Sequence, residues 1–186
     1  MIQQQRIEQA VGEILAAIGE DPNRPGLQDT PSRVANMYRE LFSGIGVDPI
    51  EAIDTVFEEE TSDPVLLRDV SFYSICEHHL LPFFGKAHLA YIPNGKIAGI
   101  SKLARALELA AHQPQVQERL TGQVADAIYS ALNPKGVAVE VEAEHLCMAM
   151  RGVQKPGSRV VTTAMRGKFE NSELNREALL ALLRRG

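Results

Sequence analysis

No stretch of this 186-residue chain is apolar for long enough to span a membrane, and no low-complexity tract or internal repeat interrupts it. A membrane-embedded or solenoid architecture is therefore not expected. Basic residues are not gathered into a dense cluster, and 19 lysines and arginines against 24 acidic residues leave a formal net charge of −5. That balance argues against a nucleic acid as partner. A small anionic ligand stays compatible with it, provided cations are concentrated locally. The opening residues Met1-Ile2-Gln3-Gln4-Gln5 are polar and carry no secretory apolar core, so the expected compartment is the cytoplasm. Cysteine is scarce, with two in the chain, and in that compartment a structural disulfide between them is not favoured.

What is present is concentrated around those two cysteines. Cys76-Glu77-His78-His79 and His145-Leu146-Cys147 hold three of the five histidines. A thiolate and an imidazole in a C-x-x-H turn, joined by a second thiolate from another segment, make a Cys2His zinc set. Three protein ligands leave one tetrahedral position open for water. His78 and His145 then stand beside the metal as candidate acids or bases, a count that points to hydrolysis. Buried inert thiols and a disulfide are the competing readings of the same cysteines. His88 and His112 stand alone and read as structural or surface residues.

The apolar share of 45% and charged share of 23% are ordinary for a globular chain of this length. The pattern predicts a helix from Gln4 to Ile18, with Ile7, Val11, Ile14 and Leu15 on one face. A second helix is expected to open with Thr30 as N-cap and Pro31 in its first turn. Strands are expected over Val65–Ile75 and Lys86–Ile92, with the cysteine-histidine turn between them. Asn94-Gly95 reads as a hairpin turn into a short strand at Lys96–Ala98. Ser101 can cap the next helix, and another is expected from about Pro114 to Asn133.

The run Val137 to Glu144 alternates as a half-buried strand. Extending its parity puts His145 and Cys147 on the same face as Val139 and Val141, with the glutamates on a solvated face. A strand over Arg159–Met165 and a helix from a Ser172 cap through Leu183 complete the pattern. The expected class is α+β, an antiparallel sheet with helices on one face. Residues 1–50 read as an N-terminal helical arm and 51–186 as the catalytic domain.

Taken in order, these segments resemble the zinc-dependent GTP cyclohydrolase I family. The resemblance is carried by Cys76-Glu77-His78-His79-Leu80-Leu81-Pro82-Phe83-Phe84-Gly85, by Tyr91 to Lys96, and by Ser101-Lys102-Leu103-Ala104-Arg105. Pro114 to Thr121, His145 to Cys147 with Arg151-Gly152, Thr162 to Gly167, and the upstream Thr30 to Tyr38 complete it. It implies a tunnelling fold whose strands close into an oligomeric barrel, a homodecamer with sites between subunits. The implied reaction opens the imidazole ring of GTP at C8, releases formate and rebuilds the carbons into 7,8-dihydroneopterin triphosphate, on the route to tetrahydrofolate.

The same resemblance distributes the roles. Cys76, His79 and Cys147 are implied to hold Zn2+, a metal that lowers the pKa of bound water toward about 7 and so supplies a nucleophile at neutral pH. His78 is implied to protonate the purine nitrogen and His145 the ribose ring oxygen. Glu118, with Gln117 beside it, is implied to read the guanine edge. A carboxylate there accepts from both N1–H and the exocyclic amine, a donor pair that adenine lacks. Lys102 and Arg105, near a helix N-terminus, are implied to hold the triphosphate together with Arg151 and Arg33, while Ser101 orients ribose or phosphate. The pattern departs at Asn36, where many relatives carry a lysine, so one phosphate contact is in doubt.

Overall fold

Amphipathic helices and one twisted sheet account for most of the chain. In the computed structural model residues 2–170 are described, together with Glu177 and Ala181. The C-terminal helix expected from Ser172 falls outside the described residues. The chain divides into two compact units, Met1–Ser43 and Gly44–Gly186.

The first unit is a helical pair. α1 (Gln4–Ala17) packs on α2 (Thr30–Leu41). Asp29, not Thr30, is the residue at the N-cap of α2, because Asp29 already accepts the first helical hydrogen bond, from Arg33 N–H at 3.0 Å. Pro31 sits in the first turn, where its missing N–H is not needed. Tyr38 meets Phe42 edge-on with centroids 5.0 Å apart.

In the second unit a 3₁₀ turn at Pro49–Ala52 is closed by a reciprocal cap, in which Asp48 accepts from Ile50 N–H and Glu51 accepts from Asp48 N–H. β1 (Val56–Glu58) pairs with β4 (Lys96–Ala98) in a small two-stranded sheet. The main sheet is built from β2 (Val65–Cys76), β3 (Pro82–Ile92), β5 (Pro114–Gln115), β6 (Gly136–His145) and β7 (Val160–Gly167), in the order β5-β2-β3-β6-β7. All its pairings are antiparallel except β5 on β2. α3 (Ile100–Ala111) and α4 (Gln117–Leu132) cover one face.

Strand alternation decides which side chains meet those helices. Phe83, Ala87, Leu89 and Tyr91 of β3 and Val137, Val139, Val141 and Ala143 of β6 are buried against Leu103, Leu107, Leu120, Val124 and Ile128. Each fully buried large side chain of this set contributes about 1.5–3 kcal/mol. Two helix starts and the burial of one glutamate depart from the sequence pattern. Gly99 precedes the first residue of α3, so Ser101 lies inside the helix and is no cap. α4 begins at Gln117 because Pro114–Gln115 is drawn into the sheet beside Ile75 and Cys76. On the outer sheet face Glu140 is 5% exposed and thus no part of a solvated stripe.

Candidate metal centre and active site

β2 ends at Cys76, and the chain reverses through Glu77–Leu81 into β3. Two hydrogen bonds close this turn, Cys76 N–H to Leu81 O and Leu80 N–H to Cys76 O, both at 2.9 Å. Leu80 adopts a φ of +52°, a left-handed conformation that a leucine accepts only where the turn demands it. The result turns His78 and His79 out from the sheet end beside the buried Cys76.

The second thiol arrives by a different route from the one the strand parity suggested. β6 stops at His145, and Leu146–Ala149 is a helical turn, α5, so Cys147 does not continue the strand. The turn still delivers it: the ligand atoms of Cys76, His79 and Cys147 all lie within 4.8 Å of one another. A tetrahedral zinc ion with bonds of about 2.0–2.3 Å holds its donors about 3.5 Å apart, so small side-chain rotations complete the shell. The donor set, two thiols and an imidazole, is one that zinc favours. Burial, and then the neighbouring Cys76 sulfur, push the Cys147 thiol above its ordinary pKa, while Arg151 acts the other way. Two crowded thiols with one cation nearby form a set that a divalent ion would relieve. Both cysteines are free thiols.

His145 is held from two sides. Its ring stacks on Phe83 with centroids 4.6 Å apart and planes 1° from parallel, and its Nε2 lies 2.7 Å from Gln117 Oε1. Burial lowers its pKa, partly countered by the Glu118 carboxylate nearby. His78 is more open, with its Nδ1 3.8 Å from Cys76 Sγ.

Gln117, expected beside Glu118 at the guanine edge, is buried. It is 1% exposed, and its Nε2 donates to Val141 O, Val160 O and Thr162 Oγ1 at 2.9–3.2 Å. Its amide is thus fully engaged inside the protein, facing His145 and two strands. Glu118, the next residue, is exposed at the start of α4. Arg119 pairs with Glu77, tying α4 to the metal turn, and Gln115 O accepts from Glu77 N–H at 3.0 Å. Neither Glu77 nor Arg119 stood out in the sequence, where each reads as an ordinary surface charge.

The remaining expected substrate contacts lie elsewhere in the fold. Ser101, Lys102 and Arg105 occupy the first turns of α3, and Lys102 pairs with Asp54. Arg33 belongs to the first unit, where it pairs with Asp29.

A family model described as GTP cyclohydrolase I matches residues 7–184. A GTP cyclohydrolase 1 of Streptococcus pyogenes serotype M18 is 56% identical over 183 residues, covering 98% of this chain and 94% of its own length. One from Streptococcus agalactiae serotype V is 53% identical over 187 residues, with both chains covered in full. Among solved structures, an archaeosine synthase QueF-Like in the apo form aligns with 59% of this chain and 97% of its own, at 21% identity and a TM-score of 0.47.

Proposed function

The chain belongs to the GTP cyclohydrolase I family, and from that membership we propose that it opens the guanine imidazole ring of GTP at C8, releases formate and forms 7,8-dihydroneopterin triphosphate. The observation that carries the proposal is the convergence of Cys76, His79 and Cys147 from two separate segments. These three would hold Zn2+, whose chemistry when bound is to acidify water and so provide a nucleophile near pH 7.

The chain's own groups do the rest. His78, exposed and next to the ligand turn, protonates the purine nitrogen as the ring opens. His145, clamped between Phe83 and Gln117, protonates the ribose ring oxygen in the later rearrangement. Glu118, exposed beside it, accepts from the two donors of the guanine edge. Lys102, Arg105 and Arg151, with Arg33 by the family motif, supply the positive charge that a triphosphate needs in an acidic protein, and Ser101 orients ribose or phosphate. Gln117 holds His145 and stands beside Glu118 on the guanine side of the site. The second unit carries the catalytic residues, and the first forms a helical arm.

The assembly we propose is a homodecamer acting in the cytoplasm. β7 ends the sheet, and β2 is covered by β5 only at Ile75 and Cys76, so among the described residues two long strand edges remain for pairing. Unpaired edges invite a neighbouring strand, and closure into a ring removes them. No helix among the described residues is long and apolar enough to cross a membrane.

The deciding experiment incubates the zinc-loaded protein with GTP, following formate release and the fluorescence of the oxidised pterin, with light scattering for mass. Formate and pterin in equal amounts are expected. Zinc retained without either product would mark the metal as structural, and turnover of another purine in place of GTP would move the chain to a sibling activity.

A further inference from the structure

α3 begins without a side-chain cap and without an acidic residue in its first turn. Its N-terminal end therefore keeps its partial positive charge, and Lys102 and Arg105 add two full ones. Opposite them runs the segment between the 3₁₀ turn and β1. It is fixed in place by the β1–β4 pairing and by Gly99 N–H donating to Thr55 O at 3.2 Å. This docking sets Asp54 over the first turn of α3, where its Oδ1 lies 2.5 Å from Lys102 Nζ.

The two partners are unequally placed. The Lys102 side chain is 17% exposed and the Asp54 side chain 62%. The lysine stem runs along the helix start beside Gly99. Its ammonium is confined to one small region, whereas the carboxylate can swing into water without opening the fold. Thr55 Oγ1 donates to the same carboxylate at 2.9 Å. The Lys102 ammonium and then the Thr55 hydroxyl hold the Asp54 carboxyl below its ordinary range, with a further contribution from Arg105. An anion therefore already occupies the place where the substrate's charge is needed.

We propose that Asp54 is a placeholder anion: its carboxylate engages Lys102 in the substrate-free protein and is displaced by the incoming polyphosphate, so that Asp54 sets how tightly the site takes anions. The proposal rests on the assignment of Lys102 to the triphosphate made above. An exposed carboxylate is the right kind of occupant, because a half-solvated pair is weak enough for a multiply charged ligand to replace. In the absence of substrate it keeps the ammonium oriented and spares it an unpaired state.

The test measures binding of inorganic triphosphate by calorimetry, and KM for GTP, in the zinc-loaded parent and in Asp54→Asn, Asp54→Glu, Lys102→Met and the Lys102→Met/Asp54→Asn double variant. Asp54→Asn should tighten inorganic triphosphate and lower KM by about two- to fivefold, the range expected for release of one such pair. Asp54→Glu should stay with the parent, and Asp54→Asn should have no effect once Lys102 is gone. Unchanged or weaker triphosphate binding in Asp54→Asn overturns the proposal, as does an equal gain in the Lys102→Met background. If the parent binds inorganic triphosphate but does not turn over GTP, the substrate reading fails, while the calorimetry still decides the role of Asp54.

Discussion

Gln117 Oε1 faces His145 Nε2 at 2.7 Å, while the other end of the same amide faces the carbonyl oxygens of Val141 and Val160. Carbonyl oxygens only accept, so the amide has one possible orientation: nitrogen toward the strands, oxygen toward the histidine. His145 must then donate from Nε2, which leaves Nδ1 as the free ring nitrogen of the neutral form. A single buried glutamine thus fixes both the position and the tautomer of a proposed catalytic histidine.

Gln117→Glu should for that reason be far from conservative. It puts a carboxylate oxygen against two carbonyls in a place that is 1% exposed. An uncompensated buried charge costs about 3–5 kcal/mol. The expected result is a large fall in the denaturant midpoint together with loss of activity. A variant as stable as the parent would show that the amide does not bind the strands as described.

The metal set predicts a contrast between adjacent residues. Cys147→Ser and His79→Ala should lose zinc and activity together, from about one ion per chain in the parent. His78→Ala should keep its zinc and slow turnover by about 100-fold or more if it is the general acid. Metal analysis of each purified variant decides this. Because His78 Nδ1 approaches Cys76 Sγ to 3.8 Å, zinc lost from His78→Ala and retained in His79→Ala would reverse the two assignments.

The Cys76, His79 and Cys147 cluster was legible because its chemistry is rare in this composition: two cysteines and a histidine pair have few other uses in such a chain. Helix faces and strand alternation were legible for the usual reason, that burial on one side imposes a period. Cys147 on a helical turn was not, since four residues carry too little periodic signal to separate a strand end from a turn. Nor was the role of Gln117, because its partners lie 24 to 45 residues away on β6 and β7. Glu140 failed for the opposite reason: a glutamate in alternating pattern reads as solvated, and only the packed sheet shows it buried.

Gly85 closes the run that begins at Cys76, and its identity has a steric cause. A Cβ built there would fall 1.9 Å from Glu142 O and 2.7 Å from Ala143 Cα. Both are backbone atoms of β6, the strand that ends at His145, and they cannot yield without breaking the β3–β6 register. Gly85→Ala should destabilise by about 3 kcal/mol or more, at the upper end of overpacking costs. It should also weaken zinc retention by shifting Cys147. Urea unfolding and metal content measure the two effects, and a fully stable alanine variant would contradict the close approach.

Glu118→Gln separates base recognition from metal chemistry. The residue is exposed at the start of α4, one position after the buried Gln117 and close enough to His145 to raise its pKa against the effect of burial. An amide cannot accept both donors of the guanine edge, since one of its two ends is itself a donor. The unpaired group left in the complex costs about 1–3 kcal/mol, so GTP affinity should fall at least several-fold while zinc content stays at the parent value. Selectivity over ATP should fall with it, because in the proposed role the carboxylate distinguishes the two bases. Equilibrium binding of GTP and ATP, measured apart from turnover, provides the check. Unchanged affinity and selectivity would make Glu118 a solvated helix residue and move guanine recognition to another part of the site.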